Sequence, residues 1–512
     1  MDDTARYAQA RHRLADLDRL RSLGLIPANG RFFPAGIHYP PITMYPDDEP
    51  ENFLASYQPP ESGEFVLYVH IPYCARRCVF CHYPVVTGRS EDEMVEYVNL
   101  LGQELQLWKQ QIGVSQLKAR SVLIAGGTPS FLSPRTFRRF HDVFAEHVDM
   151  SGCTQVTYDV HPEDLLGPEG ADRIKMMRDF GSDRITMGLQ SLDDGVLKAM
   201  NRGHTAKDAY KAIDALHAHG IDDVCIEFIY GYPDVPYQAW MDTLHKAIAT
   251  DVQEIQLYRL KIEAYGDSPG PIERLFALHP ERFPSAEEAT IQKQAAIDLL
   301  ADHGYHENLT RVFTKKPTSI SHYATDQCCQ LLDCIGIGQS AFSSLHDRFS
   351  INTPDLQQWF ERVRGGRLPL TRGLVRTLDH DLRWHMVLPL KNSFVSKSLY
   401  RLRTGQSAEQ LFRPELDALA EHGLLVEDKE RIQLTVLGRF FADEVCTQFY
   451  HPDFLPWPRD QYADGPLFLA RANLGVGGGV SRASPAGAAC PMRAPDRPWP
   501  WTSDARLQTA AF

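Results

Sequence analysis

The sequence predicts an α/β protein whose centre is a parallel sheet, arranged as an open sheet or as most of a barrel of six strand–helix units. Two observations predict it. From Glu64 to His303, short apolar runs alternate with segments whose apolar residues repeat at helical spacing. Strands that alternate with helices pair in parallel, because each helix carries the chain back across the sheet. The second observation is a cluster of three cysteines directly after the first run, where parallel sheets gather ligands on the loops at the strand C-termini.

Residues 1–60 read as an N-terminal arm. Thr4–Leu25 has apolar residues at roughly helical spacing, and Phe32–Phe53 is a proline- and aromatic-rich strap expected to lie on the main domain. The first strand is Phe65–Ile71, followed by a helix over Glu91–Ile112. A short strand, Ser121–Ile124, precedes a helix over Pro134–Val148 that opens on proline, a residue suited to a first helical turn. Gln155–Val160 precedes a helix around Gly170–Phe180. Arg184–Leu189 precedes helices at Asp193–Met200 and Ala206–His219. Asp223–Gly231 precedes Tyr237–Ala249, and Glu254–Leu260 precedes Ala286–His303. These units fill a main domain placed at 61–350.

After Gly304 the pattern changes. Cys334–Ser344 is small and glycine-rich, a sign of close backbone packing. Ser396–Glu444 reads as helices followed by a hairpin, a small winged-helix-like α+β module within a domain at 351–460. From Arg471 the chain is biased to Gly, Pro and Ala, so 461–512 is expected to be a disordered tail with no chemistry, Cys490 included.

The chain has 512 residues, 43% hydrophobic and 23% charged, and a net charge of −13. Such a surface repels nucleic-acid phosphates and anionic membranes, so neither is expected as a partner. There is no apolar run of bilayer length and no apolar signal core in MDDTARYAQARHRLADLDRL, which points to the cytoplasm. In a reducing compartment, three crowded cysteines read as metal or redox chemistry rather than disulfides.

Cys74, Cys78 and Cys81 are soft ligands suited to zinc or an iron–sulfur cluster. Zinc needs a fourth ligand, for which His82 or His70 stands nearby. A [4Fe–4S] cluster held by three thiolates keeps one iron open to a substrate or cofactor. Arg76 and Arg77, between the first two cysteines, would offset cluster charge.

CARRCVFC resembles the Cys-x3-Cys-x2-Cys signature of the radical S-adenosylmethionine (SAM) superfamily, and Tyr68–Cys74 (YVHIPYC) resembles its HemN-type branch, which includes oxygen-independent coproporphyrinogen III oxidases. AGGTPSFL (Ala125–Leu132), DVHP (Asp159–Pro162), the segment Asp183–His204, EFIYGYP (Glu227–Pro233) and Leu434–Val445 resemble that branch's further motifs in the same order. The resemblance implies a partial (βα)6 radical SAM barrel with an N-terminal arm and a small C-terminal domain. It implies a [4Fe–4S] cluster on Cys74, Cys78 and Cys81, with SAM chelating the fourth iron. Cleavage of SAM by one electron then gives methionine and a 5′-deoxyadenosyl radical.

By the same resemblance, the backbone of Gly126, Gly127 and Thr128 bonds the methionyl amine, and Asp159 takes the ribose hydroxyls. Gln190 contacts SAM and Arg202 its carboxylate, with Glu227 and Ile229 at the fifth strand end. Phe80 packs on the adenine or shields the cluster, and Tyr68 belongs to the catalytic set or only to the core. Tyr232, Tyr258 and Tyr265 would line a pocket for a flat substrate. The chain departs from the pattern at Asp159, where Glu is usual, at Glu227, where Asp is usual, and at His82-Tyr83, where the oxidases carry Gly-Cys.

These departures favour a class C radical SAM methyltransferase or cyclopropanase, in which a second SAM donates a methyl or methylene group to an sp2 carbon. The alternatives are oxidative decarboxylation of coproporphyrinogen III, or a haem chaperone or haem-degrading relative, with His306, His322 and His380 as haem or proton-transfer groups. A non-enzymatic, cluster-bearing carrier is the fourth reading. Expected partners are a small-molecule substrate, a flavodoxin- or ferredoxin-like electron donor and, for methyl transfer, a methyltransferase-like protein.

Overall fold

The computed structural model describes residues 1–26, 39–40, 53–262, 270–451 and 454. Six parallel strands form the middle of one sheet: β1 (Glu64–Ile71), β2 (Leu117–Gly126), β3 (Val156–Val160), β4 (Ser182–Gln190), β5 (Asp223–Tyr230) and β6 (Glu254–Arg259). They pair in chain order. After the N-terminal helices α1 (Asp3–Ala10) and α2 (His12–Ser22), the crossover helices are α3 (Glu91–Ile112), α4 (Pro134–His147), α5 (Gly167–Asp179), α6 (Asp194–Ala199), α7 (Ala206–Ala218) and α8 (Tyr237–Ala249). Next come α9 (Pro271–Leu278) and α10 (Ala286–Asp302).

The helix ends follow local chemistry. Ser90 caps α3 by accepting the Glu93 N–H, three acidic residues fill its first turn, and Gly113 closes it in the left-handed region at φ 75°. Strand β2 begins earlier than the predicted Ser121, because Leu117–Ser121 alternates: Leu117 and Ala119 are buried while Lys118 is exposed. The intervening charges hide a half-buried strand in the sequence.

The sheet continues past both sides of the six. Beyond β6 lie β7 (His306–Leu309) and β8 (Val312–Thr314), antiparallel. On the far side of β1 lies β9 (Cys334–Ile337), parallel to it, with Val66 opposite Cys334. Strands β10 (Phe342–Leu345), β11 (Arg348–Asn352) and β12 (Leu370–Val375) follow antiparallel. The glycine-rich segment packs as closely as expected: a Cβ on Gly336 would run into the Phe342 backbone. Residue 350 lies inside β11, whose two neighbours both belong to this sheet.

The main core fills the space between the outer face of the sheet and its helices. The inner face carries a smaller apolar cluster, Val66, Tyr68, Ala125, Tyr323, Cys334 and Ala341, and otherwise polar side chains. A second core joins Leu17, Leu20 and Leu25 of the N-terminal segment to residues between Leu382 and Tyr450. It surrounds a three-stranded antiparallel sheet of β13 (Phe394–Ser396), β14 (Leu425–Glu427) and β15 (Arg431–Leu434), with helices α12 (Leu378–Asn392), α13 (Lys397–Thr404) and α14 (Arg413–Glu421) placed before and between them, whereas α11 (Leu356–Arg364) packs in the main core. Of the proline-rich strap only Tyr39, Pro40 and Phe53 are described, and Tyr39 is fully buried with its ring 4.8 Å from that of Tyr450. Tyr265, Cys490 and the tail 461–512 lie outside the described residues.

Candidate cofactor site at the strand ends

The cysteine loop leaves β1 at Pro72 and returns at Val86, where Cys74 N–H donates to the Val86 carbonyl (3.0 Å) and Val86 N–H to that of Pro72 (2.9 Å). Within it, Cys81 N–H donates to the Cys78 carbonyl at 3.2 Å. The turn after α6 holds the loop from one side: Val79 N–H donates to the Met200 carbonyl (3.1 Å), and Asn201 Nδ2 to that of Arg77 (2.8 Å). Cys74 is buried, Cys78 and Cys81 are half-buried, and all three thiols are free of disulfides. Cys74 Sγ lies 3.3 Å from Thr128 Oγ1, and Arg202 Nη1 donates to Cys78 Sγ at 3.3 Å. Burial pushes the Cys74 thiol up to about 12, so its thiolate needs a cation at the sulfur.

Neither histidine offered as a zinc ligand is placed for that role. His82 is buried with Nε2 3.0 Å from the Lys261 carbonyl and Nδ1 accepting the Gly270 N–H at 3.3 Å. His70 is buried inside the sheet with Nδ1 3.0 Å from Tyr68 Oη. The zinc reading is set aside on these contacts.

The glycines shape the floor. Gly127 N–H donates to the Ile71 carbonyl at 2.7 Å, and a Cβ there would lie 2.7 Å from the Pro72 backbone. Gly126, at φ 111°, would drive a Cβ into the His70 ring. Opposite them, Asp159 pairs across with Thr186, and Gly188 with Glu227, so two carboxylates flank the bare Gly188 on the inner face. Arg202 Nη2 donates to the Gly188 carbonyl. Gln190 ends β4 in the left-handed region at φ 71°, turning its amide inward, and a Cβ on Gly188 would lie 2.6 Å from Gln190 Nε2.

The site therefore gathers Cys74, Gly127 and Thr128 on one side and Cys78, Arg202, Gly188, Gln190, Glu227 and Asp159 on the other. Among the described residues, buried Gln190 Oε1 and Arg202 Nε find no hydrogen-bond partner. Unpaired buried polar atoms are costly, and a polar ligand would satisfy both. Buried acceptors and donors beside three thiols thus fit a cluster together with SAM. Phe80 and Ile229 stand slightly apart, in an apolar cluster with Met200, Tyr232, Leu260 and Ile272. Tyr68 lies deeper, stacked on Phe342 with ring centroids 5.8 Å apart. Tyr258 donates to Gln256 Oε1 on the inner face. His306, His322 and His380 are scattered: exposed at the start of β7, beside Thr154 (3.0 Å), and on α12 (Leu378–Asn392) near Phe454.

Sequence reasoning missed His161 and His204, whose rings meet edge to face at 5.0 Å, and the Arg76–Glu163 ion pair at 2.9 Å that ties the cysteine loop to the turn after β3. His204 sits two residues past Arg202 and was visible only as part of a motif. His161 replaces nothing that the motif singles out.

Burial, reinforced by Glu254, raises Glu227 to about 7, and burial followed by Glu227 raises Asp159. A carboxyl with a raised folded pKa favours folding below its unfolded value near 4.5, and that contribution is lost as pH rises through 7. Stability without ligand is expected to fall by about 1–3 kcal/mol between pH 5 and pH 8. Glu227→Gln should flatten that slope in urea melts. An equally steep slope in the variant would contradict the assignment.

Residues 68–247 match the model of the radical SAM superfamily, and 386–441 match the HemN C-terminal domain. The chain is 22% identical over 388 residues to the heme chaperone HemW of Bacillus subtilis, covering 75% of this chain and 98% of that protein. It is 24% identical over 399 residues to the oxygen-independent coproporphyrinogen III oxidase of Pseudomonas aeruginosa, covering 75% and 85%. A mouse radical S-adenosyl methionine domain-containing protein 1 is 30% identical over 300 residues, covering 57% of this chain and 63% of that protein. Among solved structures, coproporphyrinogen III oxidase (HemN) from Escherichia coli superposes with a TM-score of 0.65 at 22% identity, covering 77% of this chain and 91% of that one. Among the described residues, no helix is long and apolar enough to cross a membrane.

Proposed function

This chain belongs to the HemN-type branch of the radical SAM superfamily, with a [4Fe–4S] cluster and SAM as its cofactors, and we propose that it uses them on a tetrapyrrole, by oxidative decarboxylation of a coproporphyrinogen III-type propionate. The observation that carries the reading is the gathering of three free cysteines with Arg202, Gln190, Asp159 and Glu227 at the C-terminal ends of β1, β3, β4 and β5.

In this proposal Cys74, Cys78 and Cys81 hold the cluster, and Arg202 and Gln190 take the polar end of SAM. The backbone of Gly126, Gly127 and Thr128 receives its amine. Asp159 and Glu227 accept the ribose hydroxyls. Phe80 and Ile229 give the adenine an apolar wall. Bound together, cluster and SAM supply a one-electron cleavage that ends in hydrogen-atom abstraction. The propionate would lose a hydrogen atom to the radical that SAM cleavage supplies, an electron to an external one-electron acceptor, and carbon dioxide, leaving a vinyl group. Arg202, which donates to both Cys78 and the Gly188 carbonyl, would pair with the carboxylate of SAM. Tyr232 and Tyr258 are the candidates for contact with a flat substrate, and a flavodoxin- or ferredoxin-like protein is the proposed electron donor.

Methyl or methylene transfer from a second SAM, together with a methyltransferase-like partner, is no longer the preferred reading. Two of the relatives described above are named as a heme chaperone and an oxygen-independent coproporphyrinogen III oxidase, and none is named as a methyltransferase. The match to almost the whole length of a heme chaperone favours a second reading, in which the protein carries haem. One experiment ranks the three: anaerobic incubation of the reconstituted protein with reductant, methyl-labelled SAM and coproporphyrinogen III. Expected products are 5′-deoxyadenosine, carbon dioxide and a vinyl porphyrinogen. Label in the product restores methyl transfer. Tight haem binding without decarboxylation selects the carrier.

A further inference from the structure

Resting on the cluster reading above, we propose that His82 is a positioning residue, which fixes the third cluster cysteine by pinning it to both the exit of β6 and the start of α9. Gly270 N–H points at Nδ1 (3.3 Å), so Nδ1 accepts and the proton sits on Nε2, which donates to the Lys261 carbonyl at 3.0 Å. Lys261 and Gly270 stand nine residues apart, at the two ends of the connection between β6 and α9, and one imidazole reaches both. A neutral imidazole supplies both functions at once, a donor on one nitrogen and an acceptor on the other.

Two further contacts tie the same segments. Ile272 N–H donates to the Val79 carbonyl at 3.0 Å, inside the cysteine loop. Gly270 approaches so closely that a Cβ would lie 2.8 Å from the Cys81 carbonyl oxygen. Arg77 Nη2 donates to that same oxygen at 3.2 Å. The Cys81 backbone is thus held between Arg77 on one side and Gly270 on the other, with His82 setting the distance. Beneath the contact, Val79 and Phe80 of the loop pack on Leu260 and Ile272 from the two pinned segments. Cys81 and His82 are adjacent, so any slackening at the imidazole is passed directly to a cluster sulfur. Groups that orient a metal ligand typically change affinity or activity by about 10–100-fold when removed.

The test uses His82→Ala, His82→Gln and Gly270→Ala in the full chain. Before reconstitution, deuterium exchange is read in a peptide spanning 270–278. After reconstitution, SAM affinity is read from its effect on the electron paramagnetic spectrum of the reduced cluster. His82→Ala is expected to speed exchange at Gly270 and Ile272 with α3 unchanged, and to weaken SAM binding about tenfold. His82→Gln keeps one of the two bonds and should recover part of both effects. Gly270→Ala should disturb SAM binding through Cys81 with the imidazole intact. Unchanged exchange in His82→Ala, or SAM affinity within about twofold of the parent in both His82→Ala and Gly270→Ala, overturns the proposal. A parent protein that takes up no cluster refutes the cofactor reading instead, and the exchange measurement then decides the role of His82 alone.

Discussion

Cys78→Ala is expected to remove the visible absorbance of the reconstituted cluster and to stop 5′-deoxyadenosine release, a loss of at least about a hundredfold. In the proposed site three thiols hold the cluster, and the sulfur of Cys78 accepts a hydrogen bond from Arg202 at 3.3 Å. Its removal there withdraws an iron ligand and also leaves the half-buried Arg202 side chain without its sulfur partner. Cys153→Ala is the control. That sulfur donates to the Gln155 carbonyl at 3.4 Å, away from the loop, so cluster content should match the parent. Iron and sulfide analysis together with product chromatography reads both variants. Retention of the cluster in Cys78→Ala would remove the residue from the ligand set.

Arg184→Met is expected to destabilise the fold by about 3–5 kcal/mol. Arg184 Nη2 reaches Glu254 Oε1 at 2.5 Å, and the two side chains are 1% and 0% exposed. Nη1 also reaches Asp223 at 3.2 Å. Without the guanidinium, Glu254 keeps bonds from Gln256 (2.7 Å) and the Cys225 thiol inside the sheet but no positive partner, and a carboxylate so placed is strongly disfavoured. The double variant Arg184→Met with Glu254→Leu should recover most of the loss, because an apolar pair of similar volume replaces a buried ion pair at little cost. Urea midpoints measure both. Equal destabilisation in the single and double variants would mean that the pair's geometry, rather than the stranded charge, matters.

The sequence showed the six parallel strands and their crossover helices because each signal is local: an apolar run, a cap, a helical repeat. Asp159, Gln190 and Glu227 were legible for a related reason. Motifs at strand ends place chemistry without any need to know which strands are neighbours. What stayed hidden depends on distant partners. Nothing near Arg184 announces Glu254, seventy residues on. Strand β9 is four residues long, and only its place beside β1 makes it a strand. His82 read as a possible ligand or as a departure from a motif. Its role as a bridge needs Lys261 and Gly270 in space.

The pairing of β1 with β9 has a consequence for synthesis. The first strand of the sheet leaves the ribosome early, but one of its two neighbours, Cys334–Ile337, is made only after all six central parallel strands. Until then β1 presents an open row of amides and carbonyls to any passing strand. A chain interrupted before Cys334 would already hold every candidate cofactor residue and still be prone to misassembly. Contacts spanning so much of the chain also form slowly. Nascent protein should therefore depend on chaperones until β9 docks, and cluster insertion is best timed after that event.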